Sequence, residues 1–192
     1  TIDQLSYSYF TNSNILEAVT DAANDFNSKL GDFKYDDNTK TSTDYSYDVN
    51  GSLNADANKK IGSIVYNHLN LPTSVTIIND ANPYATSYIV YVYDAAGDKL
   101  KKIVSESAGP GSGSTITTMY INGFVYETKE TQSYMGGPGP NDYEDKLQFF
   151  GHEEGRVRPL YTDVNNPTTI TDYAYDYFIR DHLGNVRMTL TE

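Results

Sequence analysis

A chain of 192 residues is long enough for one domain or for a slice of a longer array. Its formal net charge of −12 argues against nucleic-acid binding, because phosphates would be repelled, and its lack of cysteine excludes disulfides, thiolate nucleophiles and cysteine-ligated zinc. No apolar run approaches the roughly 20 residues that a membrane-spanning helix needs.

The first segment contains the pattern Tyr7-Ser8-Tyr9, whose two rings would lie on one face of a strand. A turn at residues 11–14 follows, in which Asn14 is expected to take the left-handed conformation. The apolar residues after it would form the second strand of a hairpin. A short helix is the alternative, because Ile15, Val19, Ala22, Ala23 and Phe26 also follow helical spacing.

Residues 31–43 are polar and predict an exposed hairpin loop. The next unit, residues 44–53, turns at residues 48–51, where Asn50-Gly51 is a strong hairpin signal. Two strands at 64–66 and 71–77 are predicted to flank a turn at 67–70. Pro72 would stand near the start of its strand, where a missing donor is tolerated.

The most strand-like run is 87–93, which is rich in β-branched and aromatic residues. A turn at 94–97 would lead to a strand at 99–104. Residues 109–114, rich in glycine and serine, predict a flexible loop. We therefore expect Gly113→Val to be milder than Gly97→Val, which alters a tight turn.

The last third of the chain continues the alternation of strands and turns. Asn122-Gly123 predicts a hairpin turn, and the Gly-Pro alternation that follows predicts a long loop. The predicted elements are strands at 115–120, 124–128, 147–150 and 169–180, loops at 135–142 and between the last two of these strands, and a turn at 181–185. The pattern resumes after each loop, which favours a single segment over residues 1–192.

Tyrosine dominates the aromatic residues, with 18 copies against no tryptophan. Its ring packs while its hydroxyl stays wet, so tyrosine fits a pleated, half-buried surface and favours an all-β fold. One short word, Tyr-x-Tyr-Asp-x-x-Gly, recurs at 45–51 and 91–97. Four further stretches are distinctive, namely 66–72, 120–127, 147–156 and Asp181-His182-Leu183-Gly184-Asn185-Val186-Arg187.

These words resemble the Rhs, or YD-repeat, proteins, in the form found in Bacteroidota, and the segment 181–187 is similar to the hallmark of their repeat-associated core. The resemblance implies antiparallel hairpins that form part of a curved or spiral β shell. Such a shell encloses or presents a C-terminal effector, often a toxin. It also implies an exported protein, extracellular or at the cell surface, whose partners are further repeats, a downstream effector or other chains of a secretion or surface complex.

In relatives of this family an aspartyl autoprotease lies beyond the hallmark turn, around an Asp-Pro-x-Gly motif. This chain reaches Glu192 without such a motif, so no protease carboxylate maps onto it. The chain neither begins with Met nor carries a secretory signal, and we expect it to be a piece of a longer polypeptide.

Two places invite a metal. His152-Glu153-Glu154 would need partners from elsewhere, and neither His68 nor His182 stands at helical or hairpin spacing to it. Asp36-Asp37-Asn38 lacks the spaced acids and closing Glu of a calcium loop, so a solvated turn is favoured. We predict no metal and no cofactor.

No catalytic residue is predicted either. Ser112 lies outside any nucleophile-elbow motif, and residues 109–113 lack the Lys-Ser/Thr of a phosphate loop. Asp181 and Arg187 are expected to fix the hallmark turn, the first by accepting backbone N–H groups. We therefore predict a chain without enzymatic activity.

The tyrosine stripes carry the remaining alternatives. Tyr173, Tyr175 and Tyr177 would share one face, either as a ladder that fills the inside of a curved sheet or as an exposed platform for sugars. Inward rings favour a structural scaffold, the wall of a shell. Exposed rings favour a surface adhesin or glycan-binding module. A hydrolase is a third functional class, but no set of candidate catalytic residues in the sequence supports it.

Overall fold

The computed structural model describes residues 3–23, 33, 43–79, 82, 85–133, 136–163 and 169–192. Among these residues there is no helix, and the strands are antiparallel and joined as hairpins. The predicted all-β class is therefore confirmed. The part of the chain so described also holds no helix with the length and apolarity to cross a membrane.

Fourteen strands follow one another along the described chain. They are β1 (Leu5–Tyr9), β2 (Leu16–Asp21), β3 (Tyr45–Tyr47), β4 (Leu53–Asp56), β5 (Ile61–Tyr66), β6 (Pro72–Ile77), β7 (Ser87–Tyr93), β8 (Lys99–Gly109), β9 (Ser112–Ile121), β10 (Phe124–Gln132), β11 (Tyr143–His152), β12 (Gly155–Tyr161), β13 (Ile170–Arg180) and β14 (Val186–Thr191).

The sheet topology is the simplest that a chain can adopt. β1 and β2 form a separate hairpin, and β3 to β14 lie side by side in chain order in one open sheet of twelve strands. Two compact units divide the chain, residues 1–88 and 89–192. In the first unit the buried apolar residues include Ala18 and Val19. In the second they are Val125, Val157 and Ala174.

The N-terminal segment is a hairpin, as the strand pattern predicts. Ser6 pairs with Thr20 and Tyr7 with Val19 in antiparallel register. The alternative of a short helix, which would begin near Ile15, is wrong for Leu16–Asp21, because these residues form a strand. The left-handed residue of the turn is Asn12, with φ of 57°, and not Asn14.

Five predicted turns are confirmed, because each joins two neighbouring strands of the twelve-stranded sheet. They are the turns at 48–51, 67–70, 94–97, 122–123 and 181–185. Pro72 is the first residue of β6, also as predicted. The loop predicted at 135–142 separates β10 from β11, and its residues 136–142 are described. The loop predicted at 31–43 lies outside the described residues except for 33 and 43.

Two predicted loops are wrong. Residues 109–114 are the tight end of the hairpin β8–β9, where Gly109 and Gly111 have φ of 135° and 70°. β12 lies within the loop predicted between 150 and 169, and Val157 pairs there with Tyr175 of β13. Glycine and proline are typical of loops, but in both places they lie in strands or in the tight turn that joins two strands. Composition alone therefore predicts the wrong structure there.

The hairpin at 109–112 reverses our expectation for two glycines. A side chain at Gly113 would collide with the carbonyl oxygen of Glu106 and lie 3.3 Å from the Cα of Ser107. Gly97 has φ of 95°, which strains any β-branched residue. We now expect Gly113→Val to lower the unfolding free energy by about 1–3 kcal/mol, at least as much as Gly97→Val. Thermal unfolding of both variants measures this, and a clearly milder Gly113→Val would contradict it.

Candidate functional site

One turn geometry occurs four times along the sheet. Its first residue is Asp48, Asn67, Asp94 or Asp181. In each turn the side-chain oxygen of that residue accepts the backbone N–H groups of the second and fourth residues after it. The eight distances lie between 2.9 and 3.0 Å. The recurring Asx-x-x-Gly word is therefore a hydrogen-bonded cap that closes a hairpin.

The fourth position of each cap requires the left-handed region. It is occupied by Gly51, Asn70, Gly97 and Gly184, with φ of 81°, 59°, 95° and 84°. The N–H of this residue donates back to the carbonyl of the first, at 3.0 to 3.2 Å. Glycine and asparagine are the residues that tolerate this conformation most readily, which explains the spacing of the word.

The last cap has two additional partners. The second carboxylate oxygen of Asp181 receives Nε of Arg187 at 2.8 Å and also the side-chain amide of Asn185 at 3.2 Å. Burial opposes the charge of this carboxylate, but these bonds outweigh it and lower the pKa of Asp181. Arg180 also donates to the carbonyl of Gly184 at 3.1 Å. The predicted role of Asp181 and Arg187 in fixing the turn agrees with this geometry.

We expect Asp94→Ala to lower the unfolding free energy by about 1 kcal/mol, because two backbone N–H groups lose their acceptor. Asp98→Ala is the matched control. Its exposed side chain ends the same turn and makes none of the cap's bonds, so the change should be within about 0.5 kcal/mol. Urea unfolding compares the stability of the two variants. Equal unfolding midpoints would show that the cap's hydrogen bonds do not stabilise the protein.

A second cluster lies in β12, β13 and β14 and was not predicted from the sequence. Asp176, only 1% exposed, accepts Nε of Arg156 at 2.8 Å. It also receives Nε and a terminal nitrogen of Arg158, at 2.6 and 2.9 Å, and the hydroxyl of Thr191 at 2.7 Å. Chiefly because Arg158 donates to it, and despite burial, the pKa of Asp176 lies well below its usual range.

The signal for this cluster is present in the sequence. Aspartate is depleted in strand interiors, so Asp176 within a tyrosine-rich strand indicates a buried partner. Arg156 and Arg158 stand two apart and therefore share a face of their strand. The guanidinium of Arg156 also lies 5.2 Å from the ring of Phe149 and 5.9 Å from that of Phe178. The arrangement joins three strands.

The opposite face of β13 carries the tyrosines. Tyr173 and Tyr175 are each 44% exposed, whereas Ala174 and Asp176, which alternate with them along the strand, are buried. Tyr173 packs edge-on against Phe150, and His152 does so against Tyr175. The shared face is confirmed, and the rings of Tyr173 and Tyr175 are half exposed. The ladder on the inside of a curved sheet and the platform for sugars both stay predictions.

A shallow groove of about 460 Å³ beside β10 and β11 is lined by two further groups whose pKa values are shifted. The pKa of Asp142 is lowered by the hydroxyl of Thr131, at 2.6 Å, and by backbone N–H groups. Burial, together with donation of its hydroxyl to Glu127 at 2.5 Å, raises the pKa of Tyr143. At neutral pH one group is a bound carboxylate and the other a neutral phenol, so neither offers a general base poised for catalysis.

The remaining candidates stay apart. Nδ1 of His152 accepts the N–H of Glu154 at 3.3 Å, and its ring packs on tyrosines. His68 and His182 lie in two different turns. No group of three potential metal ligands occurs among the described residues, and residues 36–38 lie outside them.

Comparison with known proteins adds no assignment to this geometry. No family model matches the chain, and the curated proteins include no similar sequence.

Proposed function

We propose that the chain is a structural segment of a YD-repeat scaffold of the Rhs type. The observation that carries this proposal is the fourfold recurrence of one Asx-capped turn along a sheet whose strands follow chain order. A unit that repeats one local device adds strands without changing its neighbours, which is how repeat proteins build extended walls. The last of these caps contains the hallmark word at 181–187.

In this proposal the segment forms part of a wall that encloses or presents a C-terminal effector of an exported protein. The half-exposed aromatic face of the second unit supports a surface that other protein covers. Phe124, Phe150, Tyr173 and Tyr175 lie on it, and three of them are at least 39% exposed. Continuous exposed apolar surface generally indicates a contact site. The partners would be further repeats, the effector or other chains of the complex, and the location extracellular or at the cell surface.

Mass spectrometry of the polypeptide in the cells that produce it tests this proposal. Tryptic peptides from residues 1–192 identify the polypeptide that contains them, and the intact mass of that polypeptide gives its length. We expect a longer polypeptide whose region beyond residue 192 resists protease until the sheet is unfolded. A mature polypeptide that ends at residue 192, or a downstream region cleaved at the same rate as an unfolded chain, would refute the role as a wall.

The exposure of Tyr173 and Tyr175 supports a second candidate, a glycan-binding surface module. Flat rings that stand open on a sheet can stack on the apolar faces of sugars. This candidate is tested by titrating the chain with a panel of oligosaccharides while binding is monitored through tyrosine fluorescence. Binding that Tyr175→Ala abolishes and Tyr88→Ala leaves intact would favour the module, because Tyr88 is exposed to a similar extent but lies in β7. Absence of binding across the panel would favour the scaffold.

A further inference from the structure

The two strands of the β11–β12 hairpin are paired along only part of their length. The ladder runs from the turn as far as the pair of Phe150 with Val157. Beyond that pair β11 extends to Tyr143 and β12 to Tyr161, and within the described residues neither strand pairs there with the other. Over this stretch β11 still pairs with β10, and β12 with β13. The hairpin therefore opens within the sheet.

Pro159 explains why the ladder stops. Tyr175 and Glu192 exchange both of their N–H···O bonds, so the backbone groups of Tyr175 point towards β14 and away from β12. Val157 lies opposite Tyr175 and therefore directs its own backbone groups towards β11. Pro159, two residues further on, occupies the next such position, but it has no N–H to donate. The two strands separate at this residue.

The separated strands enclose a cleft of about 320 Å³. Lys146 and Gln148 line it from β11, and Arg158 and Tyr161 line it from β12. The hydroxyl of Tyr161 donates to the carbonyl of Leu147 at 2.8 Å and so bridges the gap. The ammonium of Lys146 lies 5.3 Å from the centre of the Tyr161 ring. Side chains rather than a backbone ladder thus link the two strands here.

The lining of the cleft is positively charged, in a protein whose net charge is −12. It includes Lys146 and Arg158, and none of the described residues that line it is acidic. Asp176 accepts Nε–H and one terminal N–H of Arg158, which leaves other N–H groups of the guanidinium for a further acceptor. Asp176 also binds Arg156, so one carboxylate balances only one of two guanidinium charges. The cleft therefore attracts an anion.

We propose that this cleft binds an acidic sugar, of the size of one uronic acid residue, through its carboxylate. Arg158 is held in place by Asp176, and a positioned guanidinium is well suited to a carboxylate. The volume of the cleft is at the lower end of the range for small-molecule sites and gives room for one sugar ring. Leu160 and Tyr161 offer apolar surface to the C–H groups of that ring.

This site differs from the exposed tyrosine face. Tyr173 and Tyr175 do not line the cleft, so the proposal is independent of that face and of the role as a scaffold wall. The carboxylate of Glu127 does not line it either. It accepts the side-chain amide of Gln148 at 3.3 Å and the hydroxyl of Tyr143. The ligand's carboxylate is thus the acceptor that the cations of the cleft can bind.

Calorimetric titration of the chain with glucuronate tests the site. Glucuronamide is the matched neutral ligand, because it has the same ring and carries an amide in place of the carboxylate. We expect glucuronate to bind at least about tenfold more tightly than glucuronamide, since hydrogen bonds to charged groups are the stronger ones. Acetate, a carboxylate without the ring, should bind more weakly than glucuronate. Equal affinities for glucuronate and glucuronamide would overturn the recognition of charge, and equal affinities for glucuronate and acetate would overturn the assignment to a sugar.

Substitutions locate the binding in the cleft. Lys146→Gln removes one cation and leaves the pair of Arg158 with Asp176 intact. Lys99→Gln is the matched control, because the ammonium of Lys99 also lies over a tyrosine ring, at 4.6 Å, but in β8. We expect Lys146→Gln to weaken glucuronate binding at least about tenfold, and Lys99→Gln to change it by less than about twofold.

Arg158→Gln should weaken glucuronate binding at least as much as Lys146→Gln does. Circular dichroism shows whether each variant is folded, and Lys146→Gln decides the question if Arg158→Gln is not. Absence of saturable glucuronate binding by the unmodified chain would overturn the proposal, as would equal affinities of Lys146→Gln and Lys99→Gln.

Discussion

Gly155→Ala is expected to lower the free energy of unfolding by about 3 kcal/mol, the upper end of the range for overpacked sites. A Cβ at Gly155 would collide with the backbone carbonyl of Asp176 and lie 3.2 Å from the Cα of Tyr177. Backbone atoms of a paired strand cannot turn aside as a side chain can. The register between β12 and β13 would have to open at its first pair, beside the buried carboxylate.

Gly151→Ala is the matched control for this substitution. Gly151 lies in β11 of the same hairpin, and a Cβ there meets nothing within 4 Å. An alanine that fits without strain raises stability by about 0.4–1 kcal/mol, because it restricts the unfolded chain. The two substitutions should therefore move the thermal midpoint in opposite directions, with a fall of roughly 6–12 °C for Gly155→Ala. Equal midpoints would mean that β12 and β13 pair in another register.

Asp176→Ala is expected to destabilise the protein by about 3 kcal/mol at neutral pH. Removal of one partner from a buried ion pair leaves the other charge uncompensated, and here two guanidinium groups and one hydroxyl lose their acceptor. The lower end of the usual range applies because Arg156 and Arg158 are 37% and 36% exposed and regain water. Asp172→Ala, an exposed carboxylate of the same strand, should change stability by less than about 0.5 kcal/mol.

The effect of Asp176 should depend on pH in a defined direction. Its pKa is lower in the folded protein than in the unfolded chain, where it is about 3.9. The folded state therefore gains stability from this carboxylate above the unfolded pKa and loses it as the pH falls through the window below. The difference in unfolding free energy between the unmodified protein and Asp176→Ala should be constant above about pH 5 and shrink below about pH 4. A difference that grows in acid would contradict the ion-pair origin.

A triple substitution separates the contribution of charge from that of packing at this site. Replacing Asp176 together with Arg156 and Arg158 by apolar residues of similar volume removes the buried charge and its partners at once. We expect this triple variant to recover much of the stability that Asp176→Ala loses. If it is no more stable than the single variant, the three strands depend on the ionic cluster itself.

The sequence predicted the turns well because their chemistry is local. Asp94 and Gly97 satisfy the hydrogen bonds and the left-handed φ of one cap within five residues, so the word Asp-x-x-Gly carries its own structure. The same locality explains why Ser87–Tyr93 was predicted with its observed bounds. Alternation of side chains is visible within a single strand.

β12 escaped prediction because its partners are distant in sequence. Gly155, Arg158 and Pro159 weaken any local strand signal. In the structure the first makes room for a neighbouring backbone and the second binds a carboxylate of β13. The Asp176 cluster was missed for the same reason, since its donors come from residues 15 to 20 positions away. The left-handed residue of the first turn is Asn12 and not the predicted Asn14. Both are asparagine, so residue type alone does not distinguish them.

The strict chain order of β3 to β14 also bears on how the protein reaches its native state. Every strand of that sheet pairs with the strand made just before it or just after it, so no pairing waits for a distant segment. Loop-closure entropy is small for such neighbours, and sheets of this kind avoid the slow, long-range search of most all-β folds. The sheet can therefore grow hairpin by hairpin from the N-terminal side while the remainder of the chain is still being synthesised, and each Asx cap closes one of these hairpins.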